Sequence, residues 1–112
     1  MEIYFLTKKL QKLCSSKQEM KKRKLGNKLA SKLKQRLAEL ESSEFLEDMK
    51  YIKAARCHEL KGDRKGEFSV DLEHPFRLIF KPYNDPIPYK NDGGLDWSRI
   101  DSIVIIEVVD YH

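Results

Sequence analysis

Two histidines, one strand arginine and a run of polar residues at the carboxyl end are the side chains of this 112-residue chain whose types could do chemistry. His58 opens the run His58-Glu59-Leu60-Lys61-Gly62-Asp63-Arg64-Lys65-Gly66. Its two glycines allow a turn that brings backbone amides and the cations Lys61, Arg64 and Lys65 close to a phosphate. The sequence ends Asp110-Tyr111-His112: a carboxylate, a phenol and an imidazole. Imidazoles titrate near neutrality and can move protons, while a guanidinium such as Arg77 can offset the extra charge of a pentavalent phosphate. His58, His112 and Arg77 therefore supply the parts for phosphodiester cleavage. Tyr111 could stack on a splayed base or join the proton transfer. Each also has a plainer use, because strand-edge histidines are often packed or solvated, terminal ones fray, and a tyrosine after a buried strand often only packs. His74 falls in the turn Glu73-His74-Pro75 and is assigned to solvent. No Walker loop, dinucleotide fingerprint, paired-cysteine zinc spacing or nucleophile elbow occurs, so neither a cofactor nor a metal is expected. Cys14 and Cys57 read as reduced structural thiols.

The elements that must position these residues follow from periodicity. Residues 1–6 are short, apolar and aromatic, which predicts a first strand, and Thr7 can cap a helix reaching about Cys14 with Leu6, Leu10 and Leu13 on one face. Leu25, Leu29, Leu33, Leu37 and Leu40 recur at spacings of four, four, four and three, the stripe of an amphipathic helix. Ser42-Ser43 ends it before a short turn over Glu44 to Met49. From Cys57 the period changes to two. Cys57 to Leu60 can pair as a strand, Gly62-Asp63 turns, and Glu67 to Leu72 alternates polar with apolar as a half-buried strand would. Phe76, Leu78 and Phe80 share one face of the next strand and Arg77 the other, so the two runs form a hairpin. Residues 82–99 carry three prolines and Gly93-Gly94 and predict a long loop near the site, anchored by Leu95 and Trp97. Ile103 to Val109 is almost continuously apolar, as a central strand covered on both faces would be, and places Asp110 just beyond its end. The expected architecture is α+β in one domain over 1–112: a strand, two helices, then a mainly antiparallel sheet.

Charge narrows the partners. Residues 1–57 hold 15 basic against 7 acidic residues, whereas 58–112 hold 7 against 11. Within 17–36 stand nine cations, among them Lys21, Lys22, Arg23 and Lys24, and a single acid, Glu19. Such a stretch suits a polyanion, with a solvated helix face as the alternative. No apolar run approaches the roughly 18–20 residues of a membrane span, and the first ten residues have neither a secretory apolar region nor a cleavage site, so no membrane contact and a cytoplasmic location are expected.

At these residues the sequence resembles the HigB branch of the RelE/ParE toxin superfamily. The resemblance is carried by His58 to Gly66, Phe68-Ser69-Val70-Asp71-Leu72, Pro75-Phe76-Arg77-Leu78-Ile79-Phe80, Gly93-Gly94-Leu95-Asp96-Trp97-Ser98 and Glu107 to His112, in the right order. It is close over 55–112, and in the helical half extends only to order and character. It implies a RelE-like fold, with two N-terminal helices on a strongly twisted, mainly antiparallel sheet of four to five strands. It further implies a type II toxin that cleaves messenger RNA in the ribosomal A site by 2′-OH chemistry without a metal. A helix-turn-helix, HigA-like antitoxin would be its partner, beside the ribosome and mRNA. Carried over residue by residue, the catalytic set would be His58, Arg77, Asp110, Tyr111 and His112. On the ribonuclease reading the charge pattern, not the resemblance, puts RNA contacts on Lys21, Lys22, Arg23, Lys24, Lys61, Arg64 and Lys65; family members also use lysines of the helical half, and no motif fixes which one corresponds. The same superfamily holds ParE-like toxins that inhibit a topoisomerase without cutting RNA, and a silent RNA- or antitoxin-binding module is a third possibility.

Overall fold

The computed structural model describes residues 1–15 and 26–110. The first strand, β1 (Glu2–Phe5), leads into helix α1 (Lys8–Ser15), and the long helix α2 (Asn27–Ser42) completes the helical layer. Thr7 caps α1 as its type predicts, its Oγ1 accepting from the Leu10 amide at 3.1 Å. Helix α2 stops at Ser42, where the Ser43 amide closes the last turn on the Glu39 carbonyl. Short 3-10 turns over Leu46–Tyr51 and Lys53–Ala55 then carry the chain to the sheet.

Four more strands follow: β2 (His58–Glu59), β3 (Phe68–Asp71), β4 (Phe76–Pro82) and β5 (Ser102–Asp110). Their order in the sheet is β1-β5-β4-β3-β2, with β1 parallel to β5 and the other three pairings antiparallel. The predicted α+β architecture holds. One face of the sheet is closed by helices: Leu13 of α1 and Leu29, Leu33 and Leu40 of α2 join Phe68, Val70, Leu78, Phe80, Ile103 and Ile105 in a single apolar cluster. Burial of these residues is the main force holding the layers together.

Four expectations need correction. Leu6 lies between β1 and α1 and is 57% exposed, so it is not part of the helical stripe. Strand β3 is buried on both faces rather than half-buried, since Ser69 is covered as fully as Phe68 and Val70. The cover comes from the turn Gly62–Arg64, which folds back so that Arg64 meets Glu107 of β5, two strands away. Asp110 is the last paired residue of β5, opposite Phe76, and not a residue beyond the strand. Loop 82–99 leaves β4 at the end opposite Arg77, roughly 17 Å along the strand, and comes near the expected site only on the His58 side, where it lines a cleft with Glu59. It is tied down by a bridge between Tyr89 and Leu95 and by Trp97, whose ring stands edge-on to Phe68 at 4.9 Å.

Candidate functional site

Register decides what the sheet brings together. His58 pairs with Ser69, Ser69 with Ile79, and Asp71 with Arg77, so strand alternation puts His58, Asp71 and Arg77 on the face away from the helices. Phe76, Leu78 and Phe80 take the helix side, as the alternation of that run predicts. Asp110 shares the register position of Phe76, whereas Arg77 pairs with Val109. The carboxylate expected beside His58 and Arg77 is therefore on the other face of the sheet. Tyr111, His112, Lys21, Lys22, Arg23 and Lys24 lie outside the described residues.

His58 is held by backbone. Its Nδ1 stands 2.7 Å from the carbonyl oxygen of Arg56. A carbonyl only accepts, so Nδ1 carries the proton and a neutral ring has its lone pair on Nε2. That carbonyl is aimed by an uncommon conformation: Arg56 ends the turn over Lys53–Ala55 with φ 47° and ψ 48°, in the left-handed region that a non-glycine residue rarely enters. The side chain of Arg56 turns to β3, its Nε donating to Asp71 Oδ2 at 2.6 Å. Arg77 Nε stands 3.6 Å from the other oxygen of the same carboxylate. The backbone of Asp71 is fixed in turn by Arg36 of α2, which is buried and donates to the Asp71 carbonyl at 2.7 Å and to the Ala54 carbonyl at 3.1 Å. Arg36, counted by sequence among the cations of a polyanion-binding stretch, is instead a structural tie.

Arg56, Asp71, His74 and Arg77 line a cleft of about 420 Å³ at the turn between β3 and β4. Two guanidinium groups approach one carboxylate there, Arg56 by a short charge-assisted hydrogen bond and Arg77 at longer range. Of the groups in this cleft, sequence reasoning reached Arg77, passed over His74 as solvated and missed Arg56 and Asp71. The Asp71–Arg77 pairing was readable from hairpin register, but nothing in the local sequence marks Arg56 as left-handed.

The basic turn after β2 divides. Lys61 and Lys65 are exposed. Arg64, expected at a phosphate, is committed to the protein: its Nη2 donates to Glu107 at 2.6 Å and its Nε to Glu67 at 2.8 Å. These bonds, first to Glu107 and then to Glu67, push its pKa above the ordinary arginine value and neutralise it locally. Both cysteines are free, and burial pushes the Cys14 thiol up to about 11 and the Cys57 thiol up to about 12, which keeps them protonated and poorly nucleophilic at neutral pH. Among the described residues no helix is long and apolar enough to cross a membrane.

Comparison with known proteins agrees with the geometry. A family model described as the RelE-like toxin of type II toxin-antitoxin system HigB matches residues 4–92. That span takes in both helices, His58 and Arg77, and stops before Asp110. No curated protein matches the chain. With residues 4–92 matched, most of its length, the chain belongs to the HigB-like family of RelE-like type II toxins, proteins neutralised by a protein antitoxin.

Proposed function

We propose that this toxin is a ribosome-dependent endoribonuclease that cuts messenger RNA in the A site, with the helix-free sheet face as its active surface. The observation that carries the reading is the hydrogen bond from His58 Nδ1 to the Arg56 carbonyl, which leaves Nε2 as the nitrogen available for proton transfer, on the same face as Arg77. In the proposed reaction Nε2 of neutral His58 takes the proton from a ribose 2′-OH. The 2′-oxygen bonds to the adjacent phosphorus, the bond from phosphorus to the 5′-oxygen breaks, and the leaving oxygen takes a proton from His112. The products are a 2′,3′-cyclic phosphate and a 5′-hydroxyl. Arg77 and Arg56 stabilise the extra negative charge on the phosphorane, and Asp71 sets the distance between them. Lys61 and Lys65, with Lys21, Lys22, Arg23 and Lys24, contact RNA phosphates, and a helix-turn-helix, HigA-like antitoxin is the proposed inhibitor.

The test is induction of the wild type and of His58→Ala in cells, followed by primer extension on messages. New 5′ ends within codons are expected for the wild type, and a loss of roughly 10² to 10⁴ in cleavage for the variant, the usual cost of one proton-transfer group. Intact messages with DNA damage would instead establish a topoisomerase-directed toxin. Equal cleavage by the two proteins would remove His58 from the active site, and the absence of growth arrest would mean a silent binding module.

A further inference from the structure

A second cleft lies away from Arg77, between the basic turn after β2 and loop 82–99, and has a volume of about 610 Å³. Lys65 and Gly66 form one wall, Ile87, Tyr89 and Leu95 the other, and Lys81 of β4 the floor. Two of its carboxylates are already engaged: Glu67 binds Arg64, and Glu59 accepts the Gly66 amide at 3.1 Å. Lys65 and Lys81 are exposed and outnumber the one carboxylate, Glu59, that no cation among the described residues pairs in this cleft.

The loop wall is built rather than slack. The Lys90 amide donates to Gly94 at 2.7 Å, the Asp96 amide to Pro88 at 3.0 Å, and Arg99 Nη2 to the Tyr89 carbonyl at 2.9 Å. Gly93, at φ 91°, makes the tight turn that lets Tyr89 bridge Leu95. All this order fixes the backbone of a tyrosine that is itself 56% exposed. A rigidly held, half-exposed tyrosine beside two exposed lysines, in a cleft with an apolar wall, is the chemistry that stacks a base and holds its phosphate.

We propose that this cleft is a nucleotide subsite for single-stranded RNA, with Tyr89 stacking on one base and Lys65 and Lys81 holding the adjoining phosphates. The inference rests on the ribonuclease reading above and adds to it a place where sequence context is read. Lys81 and Arg77 are four residues apart on one face of β4, roughly 13 Å, so the nucleotide held here is a few positions from the scissile phosphate.

Two measurements test it. The full chain is titrated with fully 2′-O-methylated hexaribonucleotides, which cannot be cut, while the tyrosine ring and His58 signals are followed by NMR. Tyr89→Phe and Tyr89→Leu are then assayed for cleavage on ribosomes. The Tyr89 ring signal should shift on titration, Tyr89→Leu should raise the half-saturating concentration about tenfold at unchanged maximal rate, and Tyr89→Phe should behave as the wild type. Cleavage preference among codons should weaken in the leucine variant only. An unshifted Tyr89 ring, or a leucine variant with wild-type saturation, overturns the subsite even where cleavage by the wild type upholds the ribonuclease. A shifted ring in a protein that cuts no message retains the subsite and removes the ribonuclease. A phenylalanine variant as impaired as the leucine one would assign Tyr89 a structural role and overturn the proposal.

Discussion

At the scale of single residues, the backbone of Arg56 is the least expected feature of the site. Its left-handed conformation aims the carbonyl that orients His58, and that requirement is separable from its charge. Asn tolerates this region of φ and ψ, whereas a β-branched residue is strained there by about 1–2 kcal/mol. Arg56→Asn and Arg56→Val both lose the guanidinium, so the proposed mechanism expects the asparagine variant to cleave at least about tenfold faster than the valine variant, a difference measurable in single-turnover assays on ribosomes. Equal rates would disconnect the Arg56 carbonyl from catalysis. The cysteines set a different expectation. Burial raises both thiol pKa values, to about 11 and about 12 from an ordinary 9.0, so the native state holds protons that the unfolded chain releases. The stabilisation is fully present below pH 9 and is lost as pH rises from 9 toward 12, and urea melts across that window should show Cys57→Ala losing less than the wild type. His58 and Arg77 could be singled out by type and spacing. Arg56 could not, since only the closure of the preceding 3-10 turn makes it left-handed, and Asp110 was misplaced because one residue of strand length moves a side chain to the opposite face.

At the scale of elements, α2 is both the lid of the core and the anchor of the site. Leu33 is fully buried against the sheet, so Leu33→Ala should cost about 2–5 kcal/mol, while the partly buried Leu37 should cost less. Arg36→Met should cost about 1–3 kcal/mol by leaving the Asp71 and Ala54 carbonyls without their donor, and should loosen Asp71 as well. Urea denaturation gives the first quantity, and exchange of the β3 amides the second. The stripe of α2, its end at Ser42, the Thr7 cap of α1 and the β3–β4 hairpin were legible because each is a local pattern, whereas the start of α2 at Gly26, which has no side-chain cap, was not. The double burial of β3 was not, since it depends on a turn folding back to place Arg64 on Glu107. Nor was the register shift between Ile79 and Phe80 opposite β5, which no residue type announces.

At the scale of the whole molecule, charge and chain order matter most. The first half is strongly basic and the second half mildly acidic, with Lys28 and Lys34 exposed on α2 and the densest cations at 21–24. If these face ribosomal phosphates, replacing Lys21, Lys22 and Lys24 by Gln should lower ribosome affinity and make its logarithmic salt dependence shallower by roughly two units, at about −0.7 per contact on single strands. Cleavage positions should stay the same, because phosphate contacts position a protein and do not read sequence. Sedimentation with ribosomes across a salt series measures this, and an unaltered profile would reserve the basic face for another use. The parallel seating of β1 on β5 adds a dimension of time. Residues 2–5 pair with 102–105, across almost the whole of this sequence. The helices and the β3–β4 hairpin can form from local contacts, but that edge of the sheet closes only by a long-range pairing, and such distant pairings form slowly. Refolding of the purified chain should therefore close the β1 edge last, after the helices and the β3–β4 hairpin have formed.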